Sequence, residues 1–122
     1  MSFNKLGLSD ELLSALQEKN YLKATPVQSK AIPYIIQGLD ILAGAQTGTS
    51  KTAAFALPIL NKLQKSKSKR RRVRALVLTP TRELASQVAD SFRDYGSKLR
   101  FKTAVLYGGV SIKTQKDKEK NK

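Results

Sequence analysis

The stretch that decides the fold is residues 40–52, which read DILAGAQTGTSKT. Residues 40–45 are mostly apolar and predict a short buried strand. The Gly- and Thr-rich turn QTGTS follows at residues 46–50, and a helix is predicted from Lys51 to about Gln64. In a strand, turn and helix of this kind, backbone N–H groups and the helix N-terminus face a phosphate. Lys51 would add a positive charge there.

The phosphate-binding interpretation rests on an imperfect pattern. In G-x-x-x-x-G-K-[ST], the last residue offers its hydroxyl to Mg²⁺, and Thr52 occupies that place. Aligned on Lys51, the pattern also expects glycine at Ala45 and Ser50, and neither is glycine. A turn capped by Thr49 or Ser50 beside an incidental exposed lysine is the alternative. These residues alone leave both interpretations open.

Two helices are predicted before this stretch. The first begins at Ser9, whose side chain can cap it, and ends near Asn20. The second begins at Thr25, where Gln28 completes a capping box, and it ends at Gly38. Both carry apolar residues at helical spacing, which predicts one buried face on each helix.

Strands and helices are predicted to alternate after residue 52. Residues 74–79 (RALVLT) indicate a second strand, Thr79-Pro80 opens another helix, and residues 102–107 (KTAVLY) indicate a third strand. Such alternation implies right-handed crossovers and a parallel sheet, so the predicted fold is a three-layer α/β fold. Three strands are too few to cover a parallel sheet, and we expect a truncated portion of a larger domain.

Composition narrows the possible chemistry. The chain has 122 residues, 40% of them hydrophobic, with no Cys and no His, so thiol nucleophiles, imidazole bases and the usual zinc sites are excluded. Its formal charge of +14 predicts attraction to a polyanion such as nucleic acid, with an anionic membrane as the weaker alternative. The sequence shows neither a membrane-spanning apolar run nor a secretory signal pattern, and we expect a soluble, cytoplasmic protein.

Much of the positive charge lies in two runs. Seven basic residues fall within residues 65–74 and five within residues 113–122. Neither run contains an aromatic residue, so each could attract phosphate but not stack on bases. Solvated segments are the simpler interpretation.

Four motifs resemble those of DEAD-box ATP-dependent RNA helicases, in the order in which that family carries them. AQTGTSKT at residues 45–52 resembles the first motif, usually AQTGSGKT or AQTGTGKT, so Ala45 is the usual residue there and Ser50 is not. NYLKATPVQ at residues 20–28 resembles the Q motif, and PTRELA at residues 80–85 resembles motif Ia. Gly108-Gly109 resembles the GG motif.

The resemblance runs from Phe3 to about Ile112, and the lead-in is similar to the bacterial RhlE-type branch. Phe3 stands at the isolated aromatic position upstream of the Q motif. The resemblance implies a truncated RecA-like P-loop NTPase fold that uses ATP and Mg²⁺. It divides the chain into a Q-motif helical lead-in (1–39), the first part of a RecA-like ATP-binding domain (40–112) and a basic polar tail (113–122).

The resemblance also implies roles for individual residues. Gln28 would read the adenine edge, with Phe3, Tyr21 and Thr25 near the base. The phosphates would lie against Ala45, Gln46, Thr47, Gly48, Thr49, Ser50, Lys51 and Thr52. Lys51 and Thr52 are the candidate catalytic residues, with Lys51 on the β- and γ-phosphates and Thr52 as ligand of Mg²⁺. The candidate contacts to the RNA backbone are Pro80, Thr81, Arg82, Gly108 and Gly109.

Simpler structural roles remain open for several of these residues. Gln28 could serve only the capping box, and Phe3 only as an apolar anchor. Thr81 and Arg82 could form the first turn of a helix, and Gly109 a turn after a strand.

The D-E-A-D and S-A-T motifs and the arginine finger of a second RecA-like domain do not occur in this sequence, so we expect weak binding of adenine nucleotide and RNA without catalysis. Ser50 is expected to weaken nucleotide binding roughly tenfold if its backbone needs dihedrals that a Cβ disfavours. A basic RNA-binding fragment that needs no nucleotide, a different P-loop enzyme, a non-functional gene remnant and a poorly folding fragment with an uncovered sheet edge are the alternatives. The sequence does not define an oligomeric state.

Overall fold

The structure is a computed structural model that describes residues 2–44, 48–65 and 74–106. The described residues form four α-helices, which in chain order are α1 (Asp10–Glu18), α2 (Pro26–Ile36), α3 (Gly48–Lys65) and α4 (Arg82–Tyr95). A short 3-10 turn, Phe3–Lys5, precedes α1. This turn was not predicted from the sequence.

Helices α1 and α2 begin where the sequence predicted. The Ser9 hydroxyl accepts a hydrogen bond from the backbone N–H of Leu12 at 3.4 Å and so caps α1. Thr25 caps α2 with a complete capping box. Asn20, with a φ of 60°, and Gly38, with a φ of 87°, follow the two helices in left-handed conformations, which prevent each helix from continuing.

Helix α3 begins earlier than predicted. It starts at Gly48 rather than Lys51, so the second half of the predicted turn is already helical. Thr49 and Ser50 therefore lie inside the helix, and the prediction that one of them caps it is wrong. Pro58 lies within the helix, as predicted.

Helix α4 begins later than predicted. Thr79-Pro80 does not open it, because Thr81 is its N-cap and the Thr81 hydroxyl accepts a hydrogen bond from the backbone N–H of Leu84 at 3.1 Å. A threonine at this position satisfies one of the N–H groups that the first turn leaves without an intrahelical partner.

The three predicted strands do not form in the part of the chain that the structure describes. Residues 40–44, 74–79 and 101–106 belong to no strand. A strand forms when hydrogen bonds join it to a neighbouring strand. Among the described residues, the β pairing is limited to an isolated antiparallel bridge between Ser2 and Lys23. The predictions of a buried strand at residues 40–45 and of strands at residues 74–79 and 102–107 are therefore wrong for the described parts of these segments. Leu42 and Leu78 are instead highly exposed, at 101% and 84%. Their apolar surface is therefore uncovered, which is the feature expected of a poorly folding fragment.

The core lies around α3. Helices α2 and α3 make the most extensive contact between helices, and α4 packs on α3 as well. The core cluster comprises Phe3, Leu6, Leu8, Leu12, Leu16, Ile32, Ala53, Ala56, Leu57, Leu60 and Tyr95. Helix α3 is thus held in place by apolar burial from several sides, which fixes the direction of its N-terminus.

Tyr95 closes the core at the end of α4. Its side chain is only 3% exposed. Burial raises the pKa of the Tyr95 hydroxyl to about 12, and the nearby Tyr21 and Asp94 contribute in the same direction. The neutral phenol is therefore the form that the folded state favours.

Polar contacts join α1 to the other helices at the surface. Lys19 Nζ lies 3.1 Å from a carboxylate oxygen of Asp94, and Lys98 Nζ lies 2.6 Å from one of Glu18. A hydrogen bond from the Gln64 side chain is the main cause that lowers the pKa of Glu11. Exposed pairs of this kind add little stability singly.

Candidate nucleotide-binding site

The N-terminus of α3 is the centre of the candidate site. The backbone N–H groups of the first helical turn have no intrahelical partner, and the helix dipole makes that end attractive to an anion. Because α3 begins at Gly48, these N–H groups belong to the predicted phosphate-binding turn itself. Lys51 lies in this first turn and is exposed. The arrangement is suited to a phosphate group.

Thr52, the next residue of α3, is largely buried. It is 9% exposed and is followed by the buried Ala53 and Ala54. The side chains of Lys51 and Thr52 thus lie in different surroundings, one in solvent and one at the edge of the core. Ala45, Gln46 and Thr47, which the sequence analysis also assigned to the phosphates, lie outside the described residues.

Ser50 is helical. A helical φ is one that every L-residue adopts without strain. In the described residues, the only non-glycine residue with a positive φ is Asn20. The expected dihedral penalty at Ser50 therefore does not arise, although a close approach of phosphate to its backbone would remain a separate effect.

Thr25 and Gln28 form the capping box that the sequence predicted. Gln28 Oε1 accepts a hydrogen bond from the Thr25 backbone N–H at 2.9 Å, and Thr25 Oγ1 accepts one from the Gln28 backbone N–H at 3.5 Å. Gln28 is 6% exposed. The capping role is confirmed, while the contact of Gln28 with adenine stays a prediction.

Phe3 and Tyr21 line a cavity of about 310 Å³ on the outer side of α1. Phe3 is 4% exposed and belongs to the core cluster, which is the apolar-anchor role that the sequence left open. Tyr21 is 43% exposed. Polar side chains of Asn4, Asp10 and Gln17 also line the cavity. Thr25 and Gln28 are not among its lining residues in the part of the chain that the structure describes.

The directions of α2 and α3 bring the candidate adenine-binding residues at the start of α2 and the candidate phosphate-binding residues at the start of α3 to one end of the molecule. A methyl group at Gly38, just after α2, would lie 3.9 Å from Lys62 Nζ near the end of α3. The C-terminal ends of the two helices are therefore neighbours, and the helices pack extensively along each other. Their N-termini, with Thr25 on one and Gly48 on the other, consequently lie at the same end.

Asn61 is a buried residue that the sequence analysis missed. Its side chain is 0% exposed and contacts the backbone at Gly7 and Ser9. No spacing signal predicts this contact, because the partners are 52 and 54 residues away along the chain. A polar residue on the apolar face of a predicted helix was the available hint.

The predicted RNA-binding residues Pro80, Thr81 and Arg82 are all exposed. The Thr81 hydroxyl caps α4, and the Thr79 hydroxyl donates to the Thr81 carbonyl at 3.1 Å. The first-turn role of Thr81 and Arg82 is thus present. Their exposure at a helix N-terminus also leaves them accessible to a phosphate. Gly108 and Gly109 lie outside the described residues.

Arg74 ends the first basic run and is engaged by the protein. Its guanidinium donates to the Leu63 carbonyl at 3.1 Å and lies 5.9 Å from the centre of the Phe101 ring. Residues 66–73 lie outside the described residues. The last charge of the run therefore stabilises contacts between α3 and the segment after α4.

The described residues contain no group of three or more His, Cys, Asp or Glu side chains that could hold a metal ion. In the same described ranges, no helix has the length and apolar character needed to cross a membrane.

Comparisons with known proteins place these features in a family. The model of the DEAD/DEAH box helicase family matches residues 25–122. The chain is 49% identical over 114 residues to the DEAD-box ATP-dependent RNA helicase RhpA of Helicobacter pylori, and 44% identical over 114 residues to CshA of Bacillus cereus. These alignments cover 93% of this chain but only 21–22% of each relative. The chain therefore spans about a fifth of the length of these relatives.

Solved structures resemble the chain over nearly its whole length. A DEAD box protein from Methanococcus jannaschii matches with a TM-score of 0.84 and 40% identity, covering 94% of this chain and 31% of that one. The RNA helicase Prp28 from Chaetomium thermophilum, solved bound to ADP, matches with a TM-score of 0.83 and 36% identity, covering 94% of this chain and 28% of that one. The course of the chain is thus that of a RecA-like helicase domain, as predicted, although the described segments form no paired strands.

Proposed function

This chain belongs to the DEAD/DEAH box helicase family, and from that premise we propose that it binds the phosphates of an adenine nucleotide at the N-terminus of α3. The observation that carries the proposal is the start of α3 at Gly48, which puts N–H groups that have no intrahelical partner and the exposed Lys51 into one helical turn. A helix N-terminus with an adjacent ammonium group is a suitable partner for a polyphosphate.

The proposed roles follow the geometry of α3. The backbone of residues 45–50 surrounds the phosphates, and Lys51 neutralises the β- and γ-groups. Thr52 is the proposed ligand of Mg²⁺. The described residues hold no acidic cluster, and a magnesium ion commonly keeps several waters and binds substrate phosphates together with few protein groups. Such an ion would supply further neutralisation of the phosphates.

Adenine is proposed to lie at the end of the molecule where α2 and α3 begin. Gln28 and Thr25 start α2 at that end, and the bridge between Ser2 and Lys23 places Phe3 close to the same segment. An amide can accept and donate hydrogen bonds at once, so the capping box and adenine contact are compatible roles for Gln28.

RNA is proposed to bind through Pro80, Thr81 and Arg82, with Gly108 and Gly109 as further contacts to its backbone. The charge of +14 supports attraction to phosphate, and such binding weakens as salt is added. Arg74 contacts Leu63 and Phe101, so this one charge of the first basic run also has a structural role.

ATP hydrolysis and RNA unwinding are proposed for the complete helicase and not for these 122 residues. The sequences D-E-A-D and S-A-T do not occur among them. In phosphoryl transfer, the groups that hold the metal and orient the attacking water are needed as well as those that hold the phosphates. We therefore expect nucleotide binding without appreciable turnover.

A titration of the chain with a fluorescent ADP analogue tests the proposal. Unlabelled ADP should displace the analogue, GDP should displace it less well, and added RNA should bind in a salt-dependent manner. Failure of ADP to displace the analogue up to millimolar concentrations would contradict nucleotide binding. RNA binding in the same sample, unchanged by ADP, would then support the basic RNA-binding alternative.

A further inference from the structure

We propose that Asn61 is a positioning residue. It holds residues 2–9, the lead-in proper within the longer Q-motif region (1–39), against α2 and α3 and so places Phe3 at the nucleotide-binding end of the molecule. The expected effect on nucleotide binding rests on the proposed function, because Phe3 is a candidate neighbour of adenine. The hydrogen bonds that define it are independent of any nucleotide.

The side chain of Asn61 uses both ends of its amide on the lead-in. Oδ1 accepts a hydrogen bond from the backbone N–H of Ser9 at 2.9 Å, and Nδ2 donates to the carbonyl of Gly7 at 3.3 Å. Asn61 is 0% exposed. The two bonds are part-buried, because Asn61 is enclosed while Gly7 is exposed and Ser9 half-buried, so the amide itself depends on these partners in place of water.

The position of Asn61 in α3 would otherwise favour an apolar residue. Its neighbours on the helix, Leu57 and Leu60, are 0% and 3% exposed and belong to the core cluster. An amide is unfavourable at such a site unless it is hydrogen-bonded. The two hydrogen bonds to the lead-in offset that cost, and a leucine at this position could not form them.

The far end of the lead-in is fixed by other contacts. Ser2 forms an antiparallel bridge with Lys23, which lies just before Thr25 and α2. Gly7, with a φ of 90°, turns the chain at the opposite end, where a methyl group would lie 3.6 Å from Ile36 Cδ1. The lead-in is thus tied to both ends of α2, by Ser2 at Lys23 and by Gly7 near Ile36. Phe3 follows the first tie, and Asn61 contacts the chain at the second.

Ser9 extends the effect of Asn61 to α1. The Ser9 hydroxyl caps that helix through the Leu12 N–H, while its own backbone N–H is held by Asn61. Loss of Asn61 would therefore release both the chain that carries Phe3 and the start of α1. The N-terminus of α3 at Gly48, more than three helical turns before Asn61, would keep its direct contacts.

The test compares Asn61→Leu with the matched control Leu57→Val, which perturbs the same buried face of α3 but leaves the lead-in hydrogen bonds intact. Calorimetry measures the affinity of each variant for ADP and for inorganic tripolyphosphate. We expect Asn61→Leu to weaken ADP binding about fivefold while tripolyphosphate binding changes less than about twofold. Leu57→Val should leave the ratio of the two affinities unchanged.

Amide hydrogen exchange at residues 2–9 measures the lead-in without nucleotide. Exchange should be at least about tenfold faster in Asn61→Leu than in Leu57→Val at the Ser9 amide. If far-UV circular dichroism shows that Asn61→Leu loses its helices, Asn61→Ala serves instead. It removes both hydrogen bonds to the lead-in without adding bulk or charge to the buried site, so faster exchange at the Ser9 amide is expected in the same direction.

Two results would overturn the inference. Unchanged exchange at the lead-in would show that Asn61 does not hold it. Equal losses of ADP and tripolyphosphate affinity would show that Asn61 supports the whole fold and not the placement of Phe3. If the unaltered chain bound neither ligand, the proposed function would fail, and with it the role of Asn61 in placing adenine. The exchange data would still show whether Asn61 holds the lead-in.

Discussion

Gln28 Oε1 accepts a hydrogen bond from the backbone N–H of Thr25 at 2.9 Å, so the residue expected to read adenine also closes the first turn of α2. The two functions use the side chain differently. A cap needs only an acceptor, whereas reading the edge of adenine needs an acceptor and a donor. Substitutions at Gln28 can therefore separate helix capping from nucleotide recognition.

Gln28→Glu should preserve the cap, because a carboxylate at this position accepts the same bond in a capping box. We expect Gln28→Glu to lower the free energy of unfolding by no more than Gln28→Ala does, while the preference for ADP over GDP is lost. Gln28→Ala should cost about 1 kcal/mol of stability and lose the same preference. Urea denaturation and competition binding measure the two effects. An undiminished preference in Gln28→Glu would limit Gln28 to the capping role.

Lys51→Ala should abolish most nucleotide binding, because it removes the positive charge from the first turn of α3. We expect a loss of at least about tenfold in ADP affinity. Lys62→Ala is the matched control, since Lys62 is an exposed lysine near the other end of the same helix. Equal effects of the two substitutions on ADP affinity would indicate general charge attraction in place of a defined phosphate site.

Ser50→Gly should not stabilise the chain by relieving backbone strain, because residue 50 is already helical. A glycine inside a helix lowers the free energy of unfolding by roughly 0.5–1 kcal/mol. We expect that loss in urea denaturation, with a change in ADP affinity of less than about tenfold. A larger gain in affinity would show that the serine side chain itself obstructs the phosphates.

Stability should fall at high pH partly because of Tyr95. The pKa of its hydroxyl is about 12 in the folded chain, against 10.0 for an ordinary tyrosine. The contribution of the neutral phenol is thus fully present below pH 10 and is lost as the pH rises from 10 towards 12. In Tyr95→Phe, the free energy of unfolding should fall less steeply over this window, by up to roughly 1.4 kcal/mol per pH unit. Parallel slopes for the two proteins in urea denaturation at several pH values would contradict the assignment.

The helices could be predicted from the sequence because their signals are local. Ser9 and Thr25 are side-chain caps that act within one turn, and Gly38 ends α2 through its own φ. The start of α3 was misplaced by three residues because a Gly- and Thr-rich sequence is compatible with both a turn and a first helical turn. The cap of α4 was misplaced because Thr79 and Thr81 are both suitable capping residues.

The strands could not be predicted with the same success because a strand depends on its partners. Residues 74–79 have the composition of a strand, yet the exposed Leu76 and Leu78 pack against no neighbouring strand in the described residues. The contact of Asn61 with Gly7 and Ser9 was unpredictable for a related reason, since it joins segments more than 50 residues apart. The phosphate-binding residues were found through pattern and family resemblance, and their roles remain predictions.

The most direct test of the central claim is an NMR titration of the chain with Mg·ADP. If the N-terminus of α3 holds the phosphates, the amide resonances of Gly48, Ser50 and Lys51 should shift on saturation while that of Lys62 stays in place. Amide resonances at residues 48–51 that remain unmoved at saturating Mg·ADP would contradict the account.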